Sequence, residues 1–239
     1  MACRAHADLQ PHAAGLCSPR LSALGVPHIF GDRRHNVQTP ADARALADAA
    51  GLAPGPVFLG TQCHGRTVTT PATRAATPQA DAHLTDRPGD LVAVRTADCV
   101  PVLLASAQGR CVAAVHAGWR GLVAGVIQAA VYAMQQRGTP PIAAAIGPCI
   151  GVDAYEVGPE VAEQFTQAHV RRGQGPRPHL NLKQAAIDAL VQSGVFPEHI
   201  DVSTACTHRD TDELFSYRRA VQDNSSRGHQ AAMIAPASR

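Results

Sequence analysis

The chain has 239 residues, of which 45% are hydrophobic but only 4% aromatic, and it carries a formal charge of +2. That length suits one large domain with a core of Ala, Val, Leu and Ile, and so small and evenly spread a charge gives no argument for a nucleic-acid or membrane-surface footprint. Seven cysteines (Cys3, Cys17, Cys63, Cys99, Cys111, Cys149 and Cys206) lack the tight spacing of a disulfide framework, so a reduced, cytoplasmic protein with free thiols is expected.

Residues 1–25 read as a loosely ordered N-terminus without an apolar signal core, and residues 26–239 as a single α/β domain. No apolar stretch has the length of a membrane span. PADARALADAA from Pro40 predicts a helix ended by Gly51 and Pro54. VFLGTQCHGRTVTT predicts two short strands around a turn holding His64, and 71–89 reads as loop. DLVAVRT and VPVLLAS are strand-length apolar runs separated by Ala97-Asp98-Cys99, and RCVAAVH is a third. AGWRG then leads into one amphipathic helix closed by Gly138. IAAAIG predicts a strand and GPEVAEQFTQAHV a helix, with 171–178 a mobile loop. A further helix has Asn181 as N-cap and Gly194 as stop, and HIDVSTACT and AAMIA supply late strands. Strands alternating with helices from 90 to 206 argue for an α/β class.

Three reactive side chains end apolar strands before small residues: His64 in QCHG, Cys99 in TADCVP and His116 in VHAGWRG. Strand ends in α/β sheets open onto ligand crevices, and two imidazoles with a thiolate form a zinc set with a fourth position free. Such a metal makes bound water a nucleophile and polarises a substrate oxygen. Asp98 is placed to accept a hydrogen bond or handle a proton. Against this, a cysteine in a strand turn is more often a small buried hydrophobe, and a lone histidine a hydrogen-bonded structural residue. The spacing matches no compact zinc motif, so pattern alone leaves the site open.

The blocks QCHG, DAHLTDRPGDLVAVRTADCVPVLL, VAAVHAGWRGLVAGVI, IGPCIGVDAYEVGPEV and CTHRDTDELFSYRR resemble the YfiH-type family, over about residues 26–234. That family is also called the laccase-domain or multicopper polyphenol oxidase family and peptidoglycan editing factor, and more recently purine nucleoside phosphorylase. The resemblance implies a layered α/β/β/α sandwich of mixed sheets. It places metal ligands on His64, Cys99 and His116, with zinc implied and copper the earlier assignment. The implied activity is phosphorolysis of adenosine, inosine and methylthioadenosine, with adenosine deamination alongside. Purine nucleosides and phosphate are then the partners, with no nucleic acid and no membrane.

Phosphorolysis needs an anion cradle, and Arg120 leads into a helix N-terminus that favours one. Arg33, Arg218 and Arg219 are further phosphate contacts to consider. Tyr155 is assigned to the substrate, and Glu156 is either a general acid or base or a residue that favours the next helix N-terminus. Cys149 and Cys206 read as packing, Trp119 as a core anchor and His208 as structural.

The chain departs from the family pattern around the triad. Arg33-Arg34-His35-Asn36-Val37 replaces an R-x-G-G-x-S stretch, Cys63 stands where Val is usual, and Gly228-His229-Gln230-Ala231 replaces G-R-Q-A. Asn181-Leu182-Lys183 stands where the family has D-L-K. Three other readings remain: a Cys–His hydrolase with Cys99 as nucleophile, which suits peptidoglycan precursor editing; a copper-dependent polyphenol oxidase; and a metal-binding partner protein without activity. A single three-ligand site lacks the several coppers of a true multicopper laccase, which weakens the oxidase reading.

Overall fold

The computed structural model describes residues 8–52, 54–71, 78–173 and 175–238. In chain order the elements are β1 (Gln10–His12), β2 (Gly15–Cys17), α1 (Pro19–Ala23), β3 (His28–Gly31), α2 (Pro40–Ala49), β4 (Val57–Leu59) and β5 (Val68–Thr69). There follow β6 (Ala82–Thr85), β7 (Leu91–Thr96), β8 (Val100–Ser106), β9 (Val112–Ala117), α3 (Trp119–Ala124), α4 (Val126–Gln135) and β10 (Pro141–Ile146). The chain ends through α5 (Pro159–Ala162), β11 (Val170–Arg171), β12 (His179–Leu180), α6 (Leu182–Gln192), β13 (Ile200–Val202), α7 (Tyr217–Gln222) and β14 (Gln230–Ile234).

Two six-stranded sheets result, ordered β1-β2-β3-β14-β7-β4 and β13-β10-β8-β9-β6-β5. Both are mixed: β4–β7, β10–β13 and β5–β6 run parallel and the other pairs antiparallel. Side chains alternate along each strand, and both faces are covered. In β7, Val92 and Val94 meet Leu103, Ala105 and Ala114 of the other sheet, while Leu91 and Ala93 meet Ala43 and Leu46 of α2. Leu104, Val115 and Ile146 pack beneath Ile127, Met134 and Leu190 of α4 and α6. Helix, sheet, sheet, helix is the layering, as the resemblance implied. Each fully buried Val, Leu or Ile in it contributes about 1.5–3 kcal/mol of apolar burial.

Several local expectations are met. The helix expected from Pro40 is α2, which Thr39 caps in a reciprocal box with Asp42, and the expected N-cap Asn181 accepts from the Gln184 N–H to start α6. Others are not. From residue 8 the supposedly loose N-terminus contains β1, β2 and α1. Ser18 ties α1 to β13 through a 2.6 Å bond to buried Asp201, a contact between segments 183 residues apart that no local pattern announces. The 71–89 stretch contains β6, whose four residues are all buried. The helix after AGWRG breaks at Gly125, which takes φ of 83° and closes α3 before α4 begins. The helix expected at 158–170 is only the four-residue α5. Within 171–178 only Arg171 belongs to a strand, and the other described residues form the loop of the β11–β12 hairpin as expected, with Gln174 outside the described residues. No helix among the described residues is long and apolar enough to cross a membrane.

Candidate metal centre and active site

Strand register brings the three side chains together. Val100 of β8 pairs with Ala117 of β9, and Pro101 with His116, so Cys99 at the start of β8 lies beside His116. Cys99 follows the crossing from β7 in one sheet to β8 in the other, and His64 lies on the crossing from β4 to β5. The ligand atoms of His64, Cys99 and His116 all lie within 4.8 Å of one another. Cys99 Sγ is 3.8 Å from His64 Nε2, and the two imidazoles meet edge to face with centroids 4.8 Å apart. Zinc–ligand bonds of ~2.0–2.3 Å in a tetrahedron put such donor atoms about 3.5 Å apart, so the group fits a metal ion after slight contraction. His116 is buried at its base and His64 exposed at its mouth.

Asp81 organises this group, and the sequence reading placed it in a loop. Its Oδ1 accepts from His116 Nδ1 at 2.8 Å, which leaves Nε2 for a metal. The same carboxylate accepts the backbone N–H groups of Cys63 (3.3 Å), His64 (2.9 Å) and Gly65 (2.8 Å) and the Cys63 thiol (3.2 Å). These bonds hold His64 in a left-handed turn at φ of 60°. Its signal in the sequence was a lone acid before a short apolar run.

The charges reinforce one another. Burial opposes ionisation of Asp81, but His116 and its donors hold the carboxyl well below the usual range. Burial lowers the His116 pKa, and Asp81 and Cys99 outweigh that and raise it to about 9. Burial likewise raises the Cys99 thiol, and hydrogen bonds and charge from His116 and His64 bring it down to about 7. Gly118 closes the group from above: a Cβ there would lie 2.8 Å from Cys99 Sγ and 2.9 Å from His64 Cδ2.

Asp98 takes φ of 97°, a costly conformation for a residue with a side chain. Its Oδ1 accepts from Thr207 at 2.6 Å and its Oδ2 from the Arg218 backbone N–H at 2.7 Å. Asp98 therefore fastens the Cys99 turn to the start of α7. Arg218 lies over the Tyr155 ring at 5.2 Å and donates to the Glu156 carbonyl at 3.0 Å. The Tyr155 hydroxyl is pushed up to about 12, by burial and then by the charges of Cys99 and Asp98, against Arg218 and Arg120. Those five groups share one neighbourhood.

The family described as multi-copper polyphenol oxidoreductase laccase matches residues 10–237. The chain belongs to this family. A Shigella flexneri relative named purine nucleoside phosphorylase YfiH is 35% identical over 226 residues, covering 92% of this chain and 89% of that protein. A Haemophilus influenzae purine nucleoside phosphorylase is 35% identical, covering 91% and 88%. A protein named adenosine deaminase RL5, from an unknown prokaryotic organism, is 39% identical over 61% of this chain and 59% of its own length. Among solved structures, YlmD from Geobacillus stearothermophilus superposes with a TM-score of 0.81 at 25% identity, covering 98% of this chain and all 100% of its own.

Within this laccase-family site the remaining residues separate. Arg120 is exposed and stacks over Trp119 at 4.5 Å, while Trp119 packs against the helix-side core. Glu156 is exposed and pairs with His179 at 3.6 Å. Arg33 is tied to the 211–215 loop, through the Thr211 carbonyl and the Phe215 ring. Arg219 donates to the carbonyls of Thr207, His208 and Leu214, which makes it a brace. Cys149 and Cys206 are buried free thiols whose backbones form an isolated parallel β-bridge, and burial pushes the Cys149 thiol up to about 12. Cys63 donates to Asp81 and stays outside the ligand group.

Proposed function

We propose that this chain is a zinc-dependent purine nucleoside phosphorylase that also deaminates adenosine. The observation that carries the reading is the His64–Cys99–His116 group with His116 fixed by Asp81, tied through Asp98 to Arg218, which lies over Tyr155. Relatives named purine nucleoside phosphorylase and adenosine deaminase support it. Zinc suits two imidazoles and one thiolate, and it would supply Lewis-acid polarisation and an activated water. This is the one group of three or more such ligands among the described residues, which speaks against a multicopper oxidase.

In phosphorolysis the N-glycosidic bond breaks, phosphate oxygen bonds to the ribose carbon, and the purine leaves with a proton. Arg120 and Arg218 bind and orient the phosphate. Tyr155, protonated at neutral pH, donates a hydrogen bond to substrate. Asp98 holds Arg218 in register with Cys99, and Glu156 at the rim is a group able to exchange the proton with solvent. Arg33 contributes only if the 211–215 loop brings phosphate to it. In deamination, water replaces the amino group and ammonia leaves. Free thiols at six described cysteines agree with work in a reducing cytoplasm.

A second reading has support in the order Asp81–His116–Cys99, which is that of a Cys–His–Asp nucleophilic triad. One experiment separates the two. Protein purified without added metal is analysed for zinc and copper, then given inosine and phosphate. Zinc near one equivalent and hypoxanthine with ribose 1-phosphate support the proposal. No hypoxanthine from zinc-replete protein overturns it, and a chelator-resistant hydrolase activity favours the thiol nucleophile.

A further inference from the structure

The network at the start of β14 assigns a proton position to His229. Gln230 pairs with Thr96, so His229 stands opposite Ala97, on the segment that leads from β7 to Asp98 and Cys99. Gln62, two residues before His64, braces the same strand, accepting the Arg95 N–H at 2.7 Å and donating to the Arg95 carbonyl at 2.8 Å. The segments bearing Gln62–His64, Thr96–Cys99 and His229 therefore converge at one end of the sheet.

Hydrogen bonding fixes the His229 ring. Its backbone N–H donates to Asn36 Oδ1 at 3.0 Å, so that atom must be the amide oxygen. Asn36 Oδ1 also lies 2.8 Å from Gln38 Nε2, which must therefore be the Gln38 amide nitrogen. The same Nε2 lies 3.2 Å from His229 Nδ1, and two N–H groups cannot face each other there. Nδ1 accepts, and the neutral ring carries its hydrogen on Nε2, at the opposite edge from Gln38. Arg95 Nη1 holds the Gln38 carbonyl at 2.8 Å and secures the arrangement. Burial first, then the positive charges of Arg95 and His116, lower the His229 pKa, so the ring stays neutral.

We propose that His229 is a specificity-determining residue of this site, whose neutral Nε2–H donates to an uncharged acceptor of the nucleoside, a purine ring nitrogen or a ribose oxygen. The inference rests on the nucleoside reading above. A neutral donor that cannot gain a proton without losing Gln38 favours such an acceptor over phosphate. His229 belongs to the stretches where the chain departs from its family, and Asn36 and Gln38 lie in or beside the altered N-terminal stretch.

Histidine-labelled zinc-loaded protein, with His229→Gln for assignment, gives the test by nitrogen NMR. Nδ1 of His229 should be unprotonated and Nε2 protonated, and adenosine without phosphate should shift Nε2. In kinetics, His229→Ala should raise the nucleoside KM about fivefold, the loss of one neutral hydrogen bond, with phosphate KM and zinc content unchanged. His229→Gln, which keeps a neutral N–H, should recover most of it. An Nδ1-protonated ring, an adenosine-insensitive Nε2 or an unchanged nucleoside KM overturns the proposal. A shift without hypoxanthine formation overturns only the phosphorylase reading. Hypoxanthine without a shift overturns only this inference, and neither signal overturns both.

Discussion

Asp81 receives the Nδ1–H of His116 at 2.8 Å while its two oxygens also take the backbone N–H groups of Cys63, His64 and Gly65. One carboxylate thus sets the ring of one ligand and the backbone of another. Asp81→Asn keeps the shape but puts an N–H where an acceptor is needed. Zinc affinity should fall about 10–100-fold, measured by competition with a chromogenic chelator, with the far-ultraviolet dichroism unchanged. Affinity within a factor of about two of wild type would mean that the turn and the ring hold themselves.

Gly118 is required by its surroundings, because an added Cβ meets Cys99 Sγ and His64 Cδ2 below 3.0 Å. Gly118→Ala should cost most of the bound zinc and the activity. Gly175→Ala, where a Cβ meets nothing within 4 Å, should cost neither. Metal content of the two purified variants is the measurement, and equal zinc in both would refute the crowding argument.

The triad was legible because each ligand lies in a distinctive block, Cys99 just before β8, His116 near the end of β9 and His64 on the β4–β5 crossing, and β8–β9 register does the rest. The layering was legible through the resemblance, since apolar runs buried on both faces look alike in parallel and antiparallel sheets. Asp81 was missed for a physical reason. Its partners come from the β4–β5 crossing and from β9, and a short buried strand after a Pro- and Thr-rich stretch carries no periodicity to mark it. Arg219 was misjudged because an arginine bonded to three carbonyls and one facing solvent are the same letter. The break at Gly125 was hidden for a related reason: a left-handed glycine inside an apolar helical pattern does not disturb the pattern.

Zinc-free protein should show an unusually acidic thiol. Cys99 is brought to about 7 by His116 and His64, whereas burial raises Cys17, Cys111 and Cys149, and the bond to Asp81 raises Cys63. Alkylation by iodoacetamide should therefore rise through about pH 7, with Cys99 the first site modified by peptide mapping. His116→Ala should move that transition to higher pH, because the thiolate loses the larger of its two imidazole partners. A transition unmoved by His116→Ala would refute the assignment.

Acid should weaken the fold through buried histidines. His83 accepts the Gly60 N–H and bonds Thr69, and burial, against the charge of Asp81, lowers its pKa to about 4. His28 is lowered too, chiefly by burial. Both fold neutral, while the unfolded chain takes up protons near pH 6.5, so this stability is present above about 6.5 and is lost as pH falls toward the folded values. For His83 the full loss is roughly 3 kcal/mol. Denaturant midpoints of zinc-free protein should fall between pH 7 and 5, and His83→Gln should flatten that fall. Parallel curves for the two proteins would rule His83 out.

Adjacent arginines should give opposite phenotypes. Arg218 lies over the Tyr155 ring and its guanidinium meets one protein acceptor, the Glu156 carbonyl, while its tie to Asp98 runs through the backbone N–H, which alanine retains. Arg218→Ala should therefore raise the phosphate KM about tenfold or more while the melting temperature holds, since a charge-assisted contact contributes about 1.5–3 kcal/mol. Arg219 spends its guanidinium on the carbonyls of Thr207, His208 and Leu214. Arg219→Ala leaves those partly buried acceptors without their donor, and stability should fall by about 2–4 kcal/mol. Thr207 is also the residue whose hydroxyl holds Asp98, so the damage should reach the site as lost turnover and not as a selective change in phosphate KM. A thermal melt and a phosphate titration of each variant decide it. If Arg219→Ala melts like wild type and loses phosphate affinity alone, the roles are reversed.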